Sequence, residues 1–169
     1  VAWAAGATLT QKAFAARLNE SKALINAGSY EEALTLLTAL AAAEGLSPSQ
    51  TAICAETGAT ACCWAHDFAQ AIAWLAKLPD GGKGIDAPTQ ARCRKLEAWA
   101  REGLGQFDQA LTANRAAVEL ARRAGNKVPK ELLAEYLSHT AKTLRRLEKF
   151  DEAAALYREA AQTSPIPDA

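Results

Sequence analysis

The sequence lacks an excess of charge of either sign. Lys and Arg together number 19, as do Asp and Glu, so the formal net charge is +0. A neutral chain has no overall field to draw it to nucleic acid or to an anionic membrane. β-branched residues are also few, whereas apolar residues make up 50% of the chain and alanine dominates them. This composition is typical of closely packed helices, so we predict an all-α protein. From the neutral net charge we predict that it binds neither nucleic acid nor membrane.

Long apolar runs are missing as well. No stretch approaches the roughly 18 uninterrupted apolar residues that a membrane-spanning helix needs. Residues 1–7 are apolar, but they lack a basic start and are too few for a signal-peptide core, so they are either a domain-cut end or a processed terminus. We expect a soluble, cytoplasmic protein.

The four cysteines do not form the spaced framework of a disulfide-stapled domain, which predicts reduced thiols. Cys62, Cys63 and His66 lie about one helical turn apart, but a zinc site needs about four ligands in two paired spacings, and no second pair exists. A Cys-His nucleophile pair would also lack a third, orienting group. The sequence therefore predicts no metal, no cofactor and no enzymatic activity.

One short signature recurs four times: an aromatic residue, two mostly polar residues, alanine, and usually an aliphatic residue. The aromatic residues are 38, 39 and 43 positions apart, and they are Tyr30, Phe68, Phe107 and Phe150. The alanine positions are Ala33, Ala71, Ala110 and Ala153, and small residues stand twelve positions before each of them, at Ser21, Ala59, Ala98 and Ala141. Such a pattern predicts pairs of helices, in which the aromatic wedges against the first helix and the small residues let the two backbones approach.

Helix-boundary signals agree with this register. First helices are predicted at 10–27, 48–65, 88–104 and 129–147, and second helices at 30–44, 68–78, 107–124 and 150–163. Ser47, Pro48 and Gln50 predict a capping box with proline at the first helical position. Gly45 and Gly125 are expected to stop the helices that precede them. The connector 79–87 lacks the Gly-Lys-Ser/Thr ending of a phosphate loop and is expected to be a flexible hinge between two pairs of repeats.

The repeated turn resembles that of the tetratricopeptide repeat (TPR) family, in a longer variant of about 38–43 residues per repeat. The tryptophan, leucine and tyrosine of the family's first helix are mostly replaced here. The resemblance implies a right-handed α-solenoid of four helix-turn-helix repeats and about eight helices, with the first helices lining a concave groove. We predict a single domain, 1–169, with repeats at about 10–46, 47–87, 88–126 and 127–165.

Carrying over the family's groove positions predicts a partner-binding surface formed by Lys22, Asn26, Trp64, Arg92, Lys95, Trp99, Lys142, Arg145 and Arg146. Further groove positions are Leu18, Ile25, Glu56, Thr60, Cys63, Glu102, Glu135 and Ser138. Of the residues with which some family members hold a chaperone tail, this sequence has only Arg92 at a basic position, so a chaperone-tail receptor is disfavoured.

The function predicted is a non-catalytic scaffold or adaptor that binds a peptide or helix of a partner protein. Trp64 and Trp99 are either its apolar anchors or ordinary inter-helix packing residues. Lys142, Arg145, Arg146 and Lys149 follow helical spacing, which predicts either an acidic partner segment or a solvated helix face. Alternatives are a regulatory or sensor domain that binds a small peptide or anion, and an assembly module that self-associates through its terminal repeats.

Overall fold

A computed structural model describes residues 10–79 and 82–164. In this part of the chain there are eight α-helices and no strand. The helices are α1 Gln11–Asn26, α2 Tyr30–Ala41, α3 Pro48–Trp64, α4 Phe68–Leu75, α5 Ala87–Gly103, α6 Phe107–Ala124, α7 Lys130–Arg146 and α8 Phe150–Thr163. A short 3-10 helix, Gly125–Lys127, follows α6. The predicted all-α class with about eight helices is confirmed for these residues.

The chain divides into two compact units, with the boundary between Ile85 and Asp86. The first unit contains α1 to α4 and the second contains α5 to α8. In the first unit α1 packs on α2, α2 on α3, and α3 on α4; in the second unit α5 packs on α6, α6 on α7, and α7 on α8. Each unit is therefore made of two consecutive helical hairpins, while the single domain with its four repeat boundaries stays a prediction.

The start of α3 has the predicted capping box. The Ser47 hydroxyl accepts a hydrogen bond from the Gln50 amide at 3.2 Å, and the Gln50 side-chain oxygen accepts one from the Ser47 amide at 2.9 Å. Asp86 caps α5 in a similar way, since its carboxylate accepts a 2.7 Å hydrogen bond from the Thr89 amide. That bond favours the charged carboxylate and lowers the pKa of Asp86 below 3.8.

Two second helices end three residues earlier than predicted, α2 at Ala41 and α4 at Leu75. Both helices finish in a tightened turn, in which an amide donates a hydrogen bond to the carbonyl three residues before it instead of four. After α4, for example, the Leu78 amide donates to the Leu75 carbonyl at 3.1 Å. Gly45 lies beyond the end of α2, so its predicted role as the direct stop is wrong. Gly125 does cap α6, with φ of +56°.

The turn within each hairpin has one repeated backbone conformation. The residue before each N-cap of the second helix has a positive φ: +81° at Gly28, +60° at His66, +73° at Gly105 and +59° at Glu148. In all four turns the next amide donates to the carbonyl five residues earlier, at 2.8 to 2.9 Å. This is the Schellman arrangement, which satisfies carbonyl groups at a helix C-terminus. Two of the four positions hold non-glycine residues, although glycine adopts this conformation at least cost.

The predicted small positions are all buried. Their exposed fractions range from 0% to 3%, for Ser21, Ala33, Ala59, Ala71, Ala98, Ala110, Ala141 and Ala153. Their burial agrees with the prediction that small side chains on both helices of a hairpin let the two backbones approach. The predicted wedge is wrong for Phe150, which is 61% exposed, whereas Tyr30, Phe68 and Phe107 are half-buried. In the described chain no helix follows α8, so nothing from a next hairpin covers Phe150.

Some predictions fall outside the described residues: those for segment 1–7 and for Asp80 and Gly81 of the connector. In the part of the chain that the structure covers, no helix is both long enough and apolar enough to cross a membrane.

Candidate partner-binding surfaces

Helices α5 and α7 of the second unit are joined by polar side chains. Lys95 on α5 forms an ion pair with Glu135 on α7 at 3.4 Å. Two helical turns further along both helices, Glu102 on α5 accepts a hydrogen bond from the Thr143 hydroxyl on α7. The two helices therefore run in the same direction, as the first helices of successive repeats should.

Thr143 is the buried centre of this polar cluster, with an exposed fraction of 0%. Its hydroxyl accepts a 2.9 Å hydrogen bond from the Asn114 side-chain amide of α6. The same hydroxyl lies within hydrogen-bonding distance of the Glu102 carboxylate and, at 3.0 Å, of the His139 carbonyl. Because an unpaired polar group in the core is costly, these contacts fix the relative positions of three helices. The sequence analysis missed this network, although polar Asn114 at a core position of α6 was a possible signal.

His139 lies on α7 between the Lys95–Glu135 pair and Thr143. Its Nε2 is 3.6 Å from the Glu135 carboxylate. Burial lowers the pKa of His139 below 6.5, and the positive charges of Lys95 and Lys142 lower it further, while Glu135 and Glu102 oppose these effects. The imidazole is therefore mostly neutral at neutral pH.

The C-terminal end of α7 is strongly basic. Lys142, Arg145 and Arg146 are exposed, and none of them forms an ion pair with a described residue. Lys149 is also exposed, but α7 ends at Arg146 and Lys149 is the N-cap of α8, so the predicted helical spacing does not extend to it. The three exposed α7 residues, Lys142, Arg145 and Arg146, form the basic surface. Cations are also favourable here because a helix C-terminus carries partial negative charge.

The predicted groove residues of α5 already have contacts within the second unit. The Arg92 guanidinium donates a 2.9 Å hydrogen bond to the Thr89 hydroxyl. The Lys95 ammonium, besides pairing with Glu135, lies 5.3 Å from the centre of the Trp99 ring. Trp99 is half-buried, so it offers only part of its ring to a partner.

In the first unit the predicted surface residues are accessible. Lys22 and Asn26 are exposed on α1, and Trp64, the last residue of α3, is 55% exposed. Trp64 and Trp99 belong to different units, and the groove predicted to contain both stays a prediction.

Three positions carried over from the family's groove are core residues instead. Leu18, Ile25 and Cys63 have exposed fractions of 8%, 9% and 0%. Each lies on the side of α1 or α3 that packs within the first unit, so these side chains are not a contact surface. Neighbouring positions of a helix point in different directions, so a groove register carried over from the family can assign core residues to the surface.

All four cysteines are free and buried. Burial raises the pKa of Cys54 to about 11 and that of Cys62 to about 12. The Cys62 thiol donates a hydrogen bond to the Gln70 side-chain oxygen at 3.2 Å. Within the described residues no group of three or more His, Cys, Asp or Glu side chains is placed to hold a metal ion. These thiols pack as small core residues.

Comparison with known proteins gives structural similarities only. No family model matches the chain, and no curated protein does. One similar solved structure is a MamA RS-1 ArsTM double mutant, with a TM-score of 0.67 and 19% identity over 91% of this chain and 76% of that one. Another is MamA from residue 41 to its end from Desulfovibrio magneticus RS-1, with a TM-score of 0.54 and 18% identity over 95% of this chain and 99% of that one. MamA is a TPR-like helical solenoid, and the likeness shows that this chain has a TPR-like fold.

Proposed function

We propose that this protein is a non-catalytic interaction scaffold whose first-helix side binds an acidic segment of a partner protein. The observation that carries the proposal is the basic surface, Lys142, Arg145 and Arg146, where three exposed cations lack ion pairs with described residues. Arginines elsewhere in the second unit, such as Arg115 and Arg122, pair with glutamates. Guanidinium groups without an internal carboxylate can form charge-assisted hydrogen bonds to carboxylates of a partner.

Apolar contacts would supply the rest of the binding energy. Trp99 lies in the same unit as the basic surface and is partly exposed. Tryptophan is over-represented among the residues that dominate interface energies, because it covers a large area with few rotatable bonds. A partner segment with both acidic and apolar residues would match this combination.

The comparisons support a general protein-binding role and do not point to a particular partner. The solved MamA structures have a TPR-like fold, as this chain does. A shared fold does not by itself determine function, so the proposal of an acidic partner rests on the charges of α7.

The test uses a fluorescently labelled 16-residue peptide of alternating glutamate-rich and leucine-rich turns, titrated with the whole chain and followed by anisotropy. The variant Lys142→Glu/Arg145→Glu/Arg146→Glu reverses the basic surface. We expect it to weaken binding by at least about tenfold, since several charge-assisted contacts are lost together. Raised salt should weaken wild-type binding.

The matched control reverses three other exposed cations of the second unit, in the variant Arg123→Glu/Lys130→Glu/Arg158→Glu. This control changes the net charge equally, and it should change affinity by less than about threefold, because distant surface charges are screened. Equal losses in the two variants would show a net-charge effect and contradict the proposed site. Affinity capture with the same three proteins, followed by identification of bound proteins, would then name the partner.

A further inference from the structure

The second unit also contains a groove on its second-helix side, between α6 and α8. Its volume is about 520 Å³, which lies within the roughly 300–1,000 Å³ of typical ligand pockets. The apolar lining consists of Val118 from α6, Leu144 from α7, and Ala155 and Leu156 from α8. Thr140 of α7 also lines the groove, but the Thr140 hydroxyl donates a 2.8 Å hydrogen bond to the Tyr136 carbonyl of its own helix.

Two ion pairs join the walls of this groove. Arg115 on α6 pairs with Glu152 on α8 at 2.7 Å, and Arg122 pairs with Glu159. Both arginines and both glutamates are seven residues apart, so the two pairs are separated by about 10 Å along the helices. The Arg115 and Glu152 side chains are more than half exposed, so the groove opens to solvent at this pair.

The length of the helices distinguishes this groove from the second repeat. Ala155 is a small residue of α8 that lines the groove together with Leu144 of α7. Ala73 has the same register in α4, but α4 ends at Leu75, so no helix continues to form a second ion-pair bridge there. The second ion pair, at Glu159, is therefore possible because α8 extends to Thr163.

Charge decides what kind of group fits. The lining contains Arg115, Arg122, Glu119 and Glu152, and the arginines are neutralised by glutamates of α8. Glu119 is exposed and forms no ion pair with the described residues. The geometry points to a second docking site, in which a large apolar side chain of a partner helix enters the groove between the ion pairs and a neighbouring lysine or arginine pairs with Glu119.

This site is separate from the basic surface and selects the opposite charge, so it does not rest on the proposed function. With both sites occupied, the second unit would join two partners, one acidic and one basic. The prediction can fail while the acidic-peptide prediction holds, and the reverse is also possible.

The test uses two labelled alanine-based helical peptides with a central phenylalanine, one with lysine and one with glutamate four residues later. Anisotropy titration of the whole chain should show that the lysine peptide binds more tightly. Ala155→Leu should reduce its affinity by about tenfold because the added side chain occupies the groove. Glu119→Gln should reduce it about two- to fivefold, the size of one exposed ion pair, and remove the preference for lysine.

The matched control for the first variant is Ala73→Leu, which makes the same change at the same register of α4. The control for the second is Glu44→Gln, at an exposed carboxylate of the first unit. Both should bind the lysine peptide as the wild-type protein does, and circular dichroism should show equal helicity in all four variants. Failure of the lysine peptide to bind the wild-type chain, or equal binding to wild type and Ala155→Leu, would overturn the inference.

Discussion

The indole ring of Trp74 lies directly against the backbone of Gly58. A Cβ atom added at Gly58 would stand 2.4 Å from Cδ2 of that ring, well inside any normal contact distance. On the indole, the Lys77 ammonium lies 3.5 Å from the ring centre, and Trp74 is only 4% exposed. Because Gly58 of α3 has no side chain, the indole of Trp74, the largest residue of α4, can pack against the α3 backbone and be buried.

The first prediction concerns this contact. Gly58→Ala should destabilise the protein by about 1–2 kcal/mol, because the cost of overpacking exceeds the gain of about 1 kcal/mol from removing a helical glycine. Gly103→Ala is the matched control, since Gly103 is an exposed residue of α5 and should show only the helical gain. Urea denaturation measures both, and a stabilised Gly58→Ala variant would contradict the packing argument.

The second prediction concerns the hairpin turns. Gly28→Ala should lower the free energy of unfolding by about 1 kcal/mol, because alanine adopts a positive φ poorly and no steric contact adds to the cost. Glu148→Gly makes the opposite change at the equivalent turn and should leave stability unchanged or raise it. Thermal unfolding checks the pair, and equal losses in both variants would show that backbone conformation is not the cause.

The third prediction concerns the polar network at Thr143. Thr143→Val leaves the Asn114 amide and the Glu102 carboxylate without their shared partner and should cost about 1–3 kcal/mol. Thr112→Val is the control, because the Thr112 hydroxyl is exposed and bonds only the Asp108 carbonyl of its own helix. Equal stability of the two variants in guanidinium denaturation would mean that the network contributes nothing to folding.

The fourth prediction concerns pH. The pKa of His139 in the folded protein is below its ordinary value of 6.5, so between these two values the unfolded chain binds more protons. The free energy of unfolding should therefore decrease as pH falls from about 7 through this window. His139→Gln should flatten the decrease, whereas His66→Asn should retain it. An unchanged pH profile in His139→Gln would exclude His139 as its source.

The fifth prediction concerns the thiols. With a pKa of about 11 for Cys54 and about 12 for Cys62, less than about one thousandth of either group is thiolate at pH 8. The native protein should react with an aromatic disulfide reagent only slowly, and the protein unfolded in guanidinium should react at all 4 cysteines at once. Rapid reaction of a cysteine in the native protein would show that it is accessible.

The repeated signature was sufficient to predict most of the fold. The aromatic and small residues recur at fixed spacings, and closely packed backbones admit only small residues between them, so the buried positions could be predicted from the sequence. The capping box at Ser47 was equally local, because its two hydrogen bonds join residues three apart. Helix ends were less predictable at α2 and α4, because tightened final turns leave no clear mark in the sequence.

The candidate surfaces were predicted less well. Lys142, Arg145 and Arg146 are exposed as expected, but Leu18 and Ile25 are in the core. A shift of one residue turns a helical side chain by about 100°, so a register borrowed from shorter repeats misplaces some side chains. Burial depends on which neighbouring helix covers a residue.

The sequence by itself determined the all-α class, the four hairpins and the small residues at their contacts, because each depends on interactions within one hairpin. Only the tertiary structure decided how α5, α6 and α7 share the hydroxyl of Thr143, and how α6 and α8 enclose a groove between two ion pairs. Those features join residues 29 to 41 positions apart in the chain. Their distances depend on the packing of whole helices, which no local pattern specifies.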